Sequence, residues 1–173
     1  GKLNEDWSRG SLYTVTVDTE ALKKLYDKGL IDLDEDISKY LGFEVRNPKF
    51  PNDKITLRMV LTQTSSIIDD GELVDGVWKG YDGSNCTDDY IELKELLTPG
   101  SNRFYKGYSD YKPGTNFIYS NLGCGILACV CEKITGEYFP EYIKKELNLF
   151  ENDNVELVVE DKQSQYDAWL ASK

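Results

Sequence analysis

Residues 112–123 of the chain read KPGTNFIYSNLG, and they lead directly into a strongly apolar segment that ends at Gly136. The length and apolar character of 121–135 predict a helix, and glycine is the residue that most often follows a helix C-terminus. A second helix is predicted over 138–149, with Pro140 near its first turn, where proline is tolerated. The two helices should pack as a helical hairpin, which makes this part of the fold helical.

Between the N-terminus and this hairpin, the sequence predicts further helices separated by loops. Apolar residues recur at helical spacing after Thr19, and Gly29 stands where a C-terminal cap is expected, so one helix is predicted over 19–28. Further helical segments are predicted within 30–40, over 55–63 and over 91–97. Residues 69–90 are rich in Asp, Gly, Asn and Ser, which indicates a loop with at most short ordered pieces organised around Trp78.

Two segments have the composition of β-strands. Residues 11–17 read SLYTVTV, and residues 154–160 read NVELVVE with an alternation of apolar and polar side chains. We expect them to pair as a minimal sheet near the termini, with a short helix over 166–171. The predicted fold class is therefore α+β, mainly helical, in a single domain over residues 1–173, which have enough apolar material for one core.

The charge balance excludes some partners. The 173 residues carry 20 lysines and arginines against 31 aspartates and glutamates, a net charge of −11, so a nucleic acid would meet a repulsive field. No stretch approaches the roughly 18 to 20 apolar residues of a membrane span. If a signal peptide preceded Gly1 the protein is exported, to the periplasm or the exterior, and otherwise it is cytoplasmic.

The cysteines and the absence of histidine limit the chemistry. Cys124, Cys129 and Cys131 lie in the apolar segment and Cys86 lies apart, a pattern that predicts buried thiols and fits neither a zinc knuckle nor a redox pair. The chain has no histidine, which rules out a Ser-His-Asp or Cys-His arrangement. We therefore expect no metal and no cofactor, and any nucleophile must use another base.

Two spans carry a resemblance to a known family. Residues 22–67 include LKKLYDKGLIDLDEDISKYL and ITLRMVLTQTSSI, which resemble the stretches after the nucleophile in class C β-lactamase-like serine hydrolases. The second stretch follows the family pattern I-T-[IL]-R-x-L-L-T-H-T-S-G-[IL], from which Gln63 and Ser66 depart. Residues 112–123 are similar to the family's P-G-x-x-F-x-Y-S-N-x-G segment. The resemblance runs in order over 22–149 and extends to penicillin-binding proteins, D-alanyl-D-alanine carboxypeptidases and esterases.

This resemblance implies a catalytic role for two residues. The family surrounds the scissile bond with S-x-x-K, Y-x-N and K-T-G or H-x-G, in which lysine and tyrosine move the serine proton without histidine. Tyr119-Ser-Asn121 matches the second motif, so Tyr119 would relay the proton and Asn121 would hydrogen-bond the substrate amide. Without the family context, the same residues fit a buried aromatic and a helix N-cap.

The other two motifs are not visible. The nucleophile should lie near residues 11–15, but the sequence there is Ser11-Leu-Tyr-Thr14, without lysine at the fourth position. The literal match Ser109-Asp-Tyr-Lys112 lies in a loop before Pro113, at a position that the family fills with ordinary loop residues, so we do not expect it to be the nucleophile. No Lys-Thr-Gly or His-x-Gly occurs, so what remains corresponds to the helical portion of a β-lactamase/transpeptidase-like fold.

Three functional hypotheses follow from these departures. The favoured one is an incomplete or degenerate hydrolase domain that is inactive alone. The second is a part of an active serine hydrolase of β-lactams, D-Ala-D-Ala peptides or esters, completed by absent chain, a complementing polypeptide or a second copy. The third is a binding module for peptides, β-lactams or cell-wall fragments, suggested by the aromatic residues of the polar segment 69–114, which are Trp78, Tyr81, Tyr90, Phe104, Tyr105, Tyr108 and Tyr111.

Overall fold

A computed structural model describes residues 11–81, 93–147 and 171–172. These ranges contain six helices and one two-stranded sheet, so the mainly helical character that the sequence predicts is present. In chain order the elements are α1 (Ser11–Asp27), α2 (Ile37–Leu41), α3 (Leu57–Leu61), β1 (Gly71–Val74), β2 (Val77–Gly80), α4 (Leu93–Leu97), α5 (Asn121–Thr135) and α6 (Phe139–Leu147).

Helix α5 is the centre of the packing. It contacts α1, α2, α3 and α6, and α1 also contacts α6. Leu122 and Ile126 of α5 are almost fully buried together with Leu22 and Leu25 of α1. Each such side chain contributes on the order of 1.5–3 kcal/mol through the apolar surface that it removes from water. The predicted pairing of the two C-terminal helices is therefore present and forms part of a larger helical core.

Local signals in the sequence set the helix ends. Ser120 caps the N-terminus of α5, and Gly136, with φ 70°, ends the helix in the left-handed conformation that glycine adopts without strain. Asp36 and Thr56 cap α2 and α3 in the same way, each accepting a hydrogen bond from a first-turn N–H group. The bounds of α5 coincide with the predicted 121–135, and α6, at Phe139–Leu147, lies within the predicted 138–149.

The predicted strand at residues 11–17 is wrong, because these residues form the first half of α1. Their β-branched side chains disfavour a helix by only a few tenths of a kcal/mol each. The second half of the same helix packs Ala21, Leu22 and Leu25 into the core, and that packing outweighs local propensity. The sheet predicted near the termini therefore lacks its first strand, and its other strand, 154–160, lies outside the described residues. Residues 166–170 of the helix predicted over 166–171 also lie outside them.

The described sheet lies instead within the segment predicted as a loop with short ordered pieces. Strands β1 and β2 pair antiparallel, with Val74 opposite Val77. Asp75 and Gly76 connect them at φ 49° and 76°, the positive values that a two-residue type I′ hairpin requires. Trp78 lies in β2, so the ordered piece does include the residue around which it was expected.

Cysteine burial follows the prediction for the residues that the structure describes. Cys124 and Cys131 are buried and Cys129 is partly buried, while Cys86 lies outside the described ranges. Burial raises the pKa of the Cys129 thiol to about 11, with a smaller contribution from Glu132, so this thiol stays protonated at neutral pH. Within residues 11–81 and 93–147, no helix has the length and apolar character needed to cross a bilayer.

Candidate active site

The Tyr119-Ser120-Asn121 segment forms the turn that enters α5. Ser120 has extended backbone geometry, φ −139°, and its Oγ accepts a hydrogen bond of 3.2 Å from the Gly123 N–H group. Tyr119 is 46% exposed, and Asn121 is the first helical residue. The alternative of a buried aromatic followed by an Asn N-cap is therefore wrong, because the ring faces solvent and Ser120 is the cap.

Asp69 holds the start of α5 from a distant part of the sequence. Its carboxylate accepts hydrogen bonds from Ser120 Oγ at 2.8 Å, from the Asn121 N–H group at 2.7 Å and from the Leu122 N–H group at 3.0 Å. A carboxylate is favourable here because the first N–H groups of a helix lack intrahelical acceptors and carry partial positive charge. Asp69 therefore fixes the backbone of two motif residues.

Gln63 holds the same turn from the other side. Its side-chain Oε1 accepts a hydrogen bond of 2.9 Å from the Ser120 N–H group, and its backbone oxygen accepts one of 2.8 Å from the Ile118 N–H group. Gln63 has φ 60°, in the left-handed region that non-glycine residues rarely adopt. The segment around Tyr119 is thus pinned on both of its flanks by one residue.

Buried hydrogen bonds also hold the segment that precedes Tyr119. Asn47 is fully buried, and its Nδ2 donates to Ser66 Oγ at 3.2 Å and to the Ser109 carbonyl at 2.9 Å. The Ser109 N–H group donates to the Ser66 carbonyl at 2.7 Å, and the Gly114 N–H group donates to the Thr64 carbonyl at 2.7 Å. These bonds lay residues 109–118 against residues 63–67 and so set the path of the chain into Tyr119.

Sequence reasoning noted Gln63 only as a departure from a motif and did not single out Asp69. One signal was present, because a capping box needs Glu or Gln at the third helical position, where this chain has Gly123. That absence implies that another residue must accept the N-cap N–H group, and Gln63 does so. No sequence pattern identifies Asp69, which lies 51 positions before Ser120.

The two segments that could contain a nucleophile have different local structures. Residues 11–14 form the first turn of α1, where the family resemblance places the nucleophile, but Thr14 stands at the lysine position. In the literal match Ser109–Lys112, Ser109 Oγ accepts a hydrogen bond from the Tyr111 N–H group at 3.3 Å, as in a local turn. Lys112 Nζ lies 3.8 Å from an oxygen of Asp53. These contacts favour a structural role for that match.

The aromatic residues of 69–114 serve mainly as anchors. Tyr108 is buried, its hydroxyl donates to the Leu97 carbonyl at 2.6 Å, and burial raises its pKa. Trp78 Nε1 donates to the Tyr81 carbonyl at 3.3 Å, and Phe104 packs on Tyr108 with ring centroids 6.3 Å apart. Among the described rings of this set, Tyr111 alone is exposed, and Tyr90 lies outside the described residues. Such anchoring is what a long loop needs.

The described residues contain no group of three or more Cys, Asp or Glu side chains placed to hold a metal ion. At the turn itself, Tyr119 is exposed and Asn121 is partly exposed, and the Tyr119 hydroxyl and the Asn121 side-chain amide can each donate and accept hydrogen bonds. The structure brings these two predicted site residues together at one helix start.

Comparison with known proteins gives consistent matches. A family model described as Beta-lactamase matches residues 16–173. Protein flp of Staphylococcus aureus (strain N315) is 28% identical over 123 residues, which are 71% of this chain and 22% of flp. Penicillin-binding protein 4* of Bacillus subtilis (strain 168) is 25% identical over 126 residues, 72% of this chain and 24% of that protein. The chain spans about a quarter of the length of these curated relatives.

Two solved structures share the fold. A D-stereospecific amidohydrolase from Streptomyces sp. matches with a TM-score of 0.56 and 24% identity, over 80% of this chain and 40% of that chain. The octameric penicillin-binding protein homologue from Pyrococcus abyssi matches with a TM-score of 0.57 and 25% identity, over 83% of this chain and 31% of that chain. The helices described above are therefore part of a larger fold in both of these proteins.

Proposed function

Because the chain belongs to the beta-lactamase family, we propose that it forms the helical portion of a serine β-lactamase or penicillin-binding-type hydrolase and hydrolyses nothing by itself. One observation carries this proposal. The Tyr119-Ser-Asn121 turn is held by hydrogen bonds at both ends, whereas the chain has no lysine at the fourth position from Ser11 and no Lys-Thr-Gly or His-x-Gly.

The roles follow from acyl-transfer chemistry. A serine hydroxyl attacks only when a base takes its proton, and the leaving group must receive a proton afterwards. Tyr119, which is 46% exposed, is the proton relay of this proposal, and the Asn121 side-chain amide is the donor to the substrate. Neither residue can replace the nucleophile, its lysine or the two N–H donors of an oxyanion hole. One motif out of three is therefore insufficient.

Acylation by a fluorescent penicillin tests the proposal directly. The chain should show no covalent label after incubation with an excess of the reagent, while an active penicillin-binding protein in the same gel is labelled. Intact-mass analysis of the same samples should show the unmodified mass. Stoichiometric labelling at any serine would refute the claim that the chain is inactive alone.

A second candidate function has its own support. Tyr119 is 46% exposed and Phe117 is 71% exposed, so an aromatic surface lies open beside the motif. The chain also spans only a fraction of its relatives. Both facts favour a chain that works as part of a complete hydrolase, with the missing motifs on further chain, on another polypeptide or on a second copy.

Purification from the native source separates the two candidates. If the second is correct, the chain should occur in a longer polypeptide, or should co-purify stoichiometrically with a chain that carries S-x-x-K and K-T-G or H-x-G. Sequencing the flanking gene region is the cheapest first observation. Recovery of the chain alone, with no such motifs encoded nearby, would exclude the second candidate.

The third candidate, a module that binds D-Ala-D-Ala peptides or cell-wall fragments without turnover, has less support, because most of the described aromatic rings are anchored. It predicts that a D-Ala-D-Ala peptide perturbs tryptophan fluorescence near Trp78, and that Asn121→Ala weakens the effect. The absence of a saturable change at millimolar peptide would remove this candidate.

A further inference from the structure

The backbone on both sides of Tyr119 is fixed by contacts from outside its own segment, although the ring itself is exposed. The N–H groups of Ile118 and Ser120 both donate to Gln63. These contacts do not bury the side chain, since 46% of Tyr119 remains exposed to solvent. A fixed backbone beneath an exposed side chain is the arrangement expected where the position of that side chain matters.

The backbone conformation of Gln63 also indicates that the position of the Tyr119 segment matters. A non-glycine residue at φ 60° is strained, and such strain persists only where the surrounding structure over-determines it, often at functional sites. Here the strained backbone lets the carbonyl and the side chain of one residue face the same segment. Gln63 thereby supplies the acceptor that a helical Glu or Gln would provide in a capping box.

Asp69 completes the arrangement on the helical side. Its two oxygens accept the N–H groups of Asn121 and Leu122, and Ser120 Oγ accepts that of Gly123. The helix start is therefore occupied by the protein's own acceptors and is not open to an anion from a ligand. Any contact of Asn121 with a ligand must use its side-chain amide.

We propose that Gln63 and Asp69 are positioning residues for Tyr119 and Asn121, an inference that rests on the proposed role of the Tyr-Ser-Asn motif. Gln63 fixes the residues that flank the Tyr119 backbone, and Asp69 fixes the first turn on which Asn121 stands. The two side chains are thus presented in a set geometry before a substrate or a completing chain arrives. Such preorganisation removes an ordering cost from the later step.

Amide hydrogen exchange of the full chain tests the inference at the atoms concerned. First-turn amides of a helix normally exchange fast because they lack intrahelical acceptors. The amides of Ser120, Asn121 and Leu122 should instead be protected. In Asp69→Ala the amides of Asn121 and Leu122 should exchange about tenfold faster or more, the loss expected for a charge-assisted hydrogen bond, while the fully buried Ile126 stays protected.

Two further variants separate positioning from stability. Asp69→Asn keeps the shape of the side chain and one acceptor oxygen. The amide of Asn121, of Leu122 or of both should therefore exchange faster. Gln63→Gly relieves the strained φ and keeps the backbone acceptor, but it removes Oε1, so the Ser120 amide should lose protection while global stability holds. Asp70→Ala removes the neighbouring exposed carboxylate and should leave all of these amides unchanged.

The position of the ring itself is read from ¹⁹F NMR of chain labelled with 3-fluorotyrosine. The Tyr119 resonance, assigned by its loss in Tyr119→Phe, should shift or broaden in Asp69→Ala and Gln63→Gly but not in Asp70→Ala. An unchanged resonance in the first two variants would overturn the inference. So would a uniform rise in exchange across α5, because it would mean that Asp69 only stabilises the fold.

The outcome of the hydrogen-exchange and ¹⁹F NMR measurements does not depend on whether the chain is acylated. These measurements need neither a nucleophile nor a substrate, so the positioning roles can hold even if penicillin labelling contradicts the proposed inactivity. Conversely, a chain that behaves as proposed toward penicillin but keeps its Tyr119 resonance in both variants would retain the proposed function and lose the positioning inference.

Discussion

Two buried tyrosines differ in whether their hydroxyl group has a hydrogen-bond partner. Tyr108 donates to the Leu97 carbonyl at 2.6 Å, whereas the buried hydroxyl of Tyr142 has no hydrogen-bond partner in the part of the chain that the structure describes. Burial raises the pKa of Tyr142 to about 12. A buried hydroxyl without a partner costs free energy, and removing it restores some of that energy.

We therefore predict opposite effects of the same substitution. Tyr142→Phe should leave the free energy of unfolding unchanged or raise it by up to about 1 kcal/mol, while Tyr108→Phe should lower it by about 1–2 kcal/mol, because the Leu97 carbonyl is then left unsatisfied. Urea unfolding of both variants with unchanged m-values measures the difference. Equal losses in the two variants would show that Tyr142 has an acceptor after all.

Ser66 stands where the family pattern usually has glycine, and it adopts φ 69°. Its Oγ accepts a hydrogen bond from buried Asn47. Ser66→Ala keeps the strained backbone and loses this bond, whereas Ser66→Gly loses the bond but relieves the strain. We expect the glycine variant to be more stable than the alanine variant by about 1–2 kcal/mol, the cost of the left-handed conformation for a residue with Cβ.

Thermal unfolding of the two Ser66 variants checks this order. At a position with ordinary negative φ, the reverse order is expected, because glycine loses more conformational entropy than alanine on folding. An alanine variant at least as stable as the glycine variant would therefore contradict the backbone conformation of Ser66. The sequence could flag both Gln63 and Ser66 as unusual, but only the structure shows that they share a positive φ.

At the scale of elements, the cap of α2 combines a hydrogen bond and an ion pair. Asp36 accepts from the Ser38 N–H group at 3.0 Å and pairs with Arg46, and both charged side chains are less than a quarter exposed. Burial acts to raise the pKa of Asp36, but the hydrogen bonds from Arg46 and Ser38 outweigh it and hold the pKa below its ordinary value of 3.8.

Asp36→Asn keeps a capping oxygen and removes the charge, so it isolates the ion pair. It should lower the free energy of unfolding by about 2 kcal/mol at neutral pH, because Arg46 is left partly buried without its partner. Asp34→Asn, at the exposed pair with Arg58, should cost less than about 1 kcal/mol.

The loss in Asp36→Asn should also depend on pH. Since the folded-state pKa is lowered, the stabilisation by the ion pair is fully present above the unfolded value and is lost as pH falls through the folded one. The difference between wild type and Asp36→Asn should therefore be constant above about pH 5 and shrink below about pH 4. Denaturant unfolding across this range measures it, and a pH-independent difference would contradict the role of the charge.

Element prediction succeeded where several local signals agreed and failed where only one was available. Helix α5 has a long apolar segment and Gly136 after its end, and its bounds were predicted correctly, although its N-cap is Ser120 and not Asn121. Residues 11–17 had only β-branched composition, which the packing of the rest of α1 overrides. The hairpin was missed as a hairpin although Asp75-Gly76 between apolar residues is a strong two-residue turn signal.

At the scale of the whole molecule, the family could be predicted because its motifs occur in order over 22–149, and the match over 16–173 confirms it. The site was only partly predictable. Tyr119 and Asn121 follow from a motif, but their supports, Gln63 and Asp69, are joined to them by tertiary contacts across more than 50 positions. The single-domain boundary over 1–173 stays a prediction.

On the proposed function, acylation needs motifs that lie outside the helical portion of the fold, and one substitution in α1 tests this requirement. Thr14→Lys completes a Ser-x-x-Lys motif, Ser11-Leu-Tyr-Lys, in the first turn of α1. We nevertheless expect no acylation by fluorescent penicillin beyond that of the wild type. The oxyanion hole needs a second N–H donor from a strand that bears the third motif, and loss of one donor alone reduces such reactions about 100- to 1,000-fold.

The Thr14→Lys variant and the wild type should give the same circular dichroism spectrum, which controls for damage to α1. Both should remain at their unmodified mass after an incubation just long enough to label an active penicillin-binding protein completely. Stoichiometric modification of Ser11 would mean that the helical portion supplies a sufficient catalytic environment alone. The absence of the third motif from the sequence would then no longer explain inactivity, and Thr14 would be the single residue that keeps the chain from reacting.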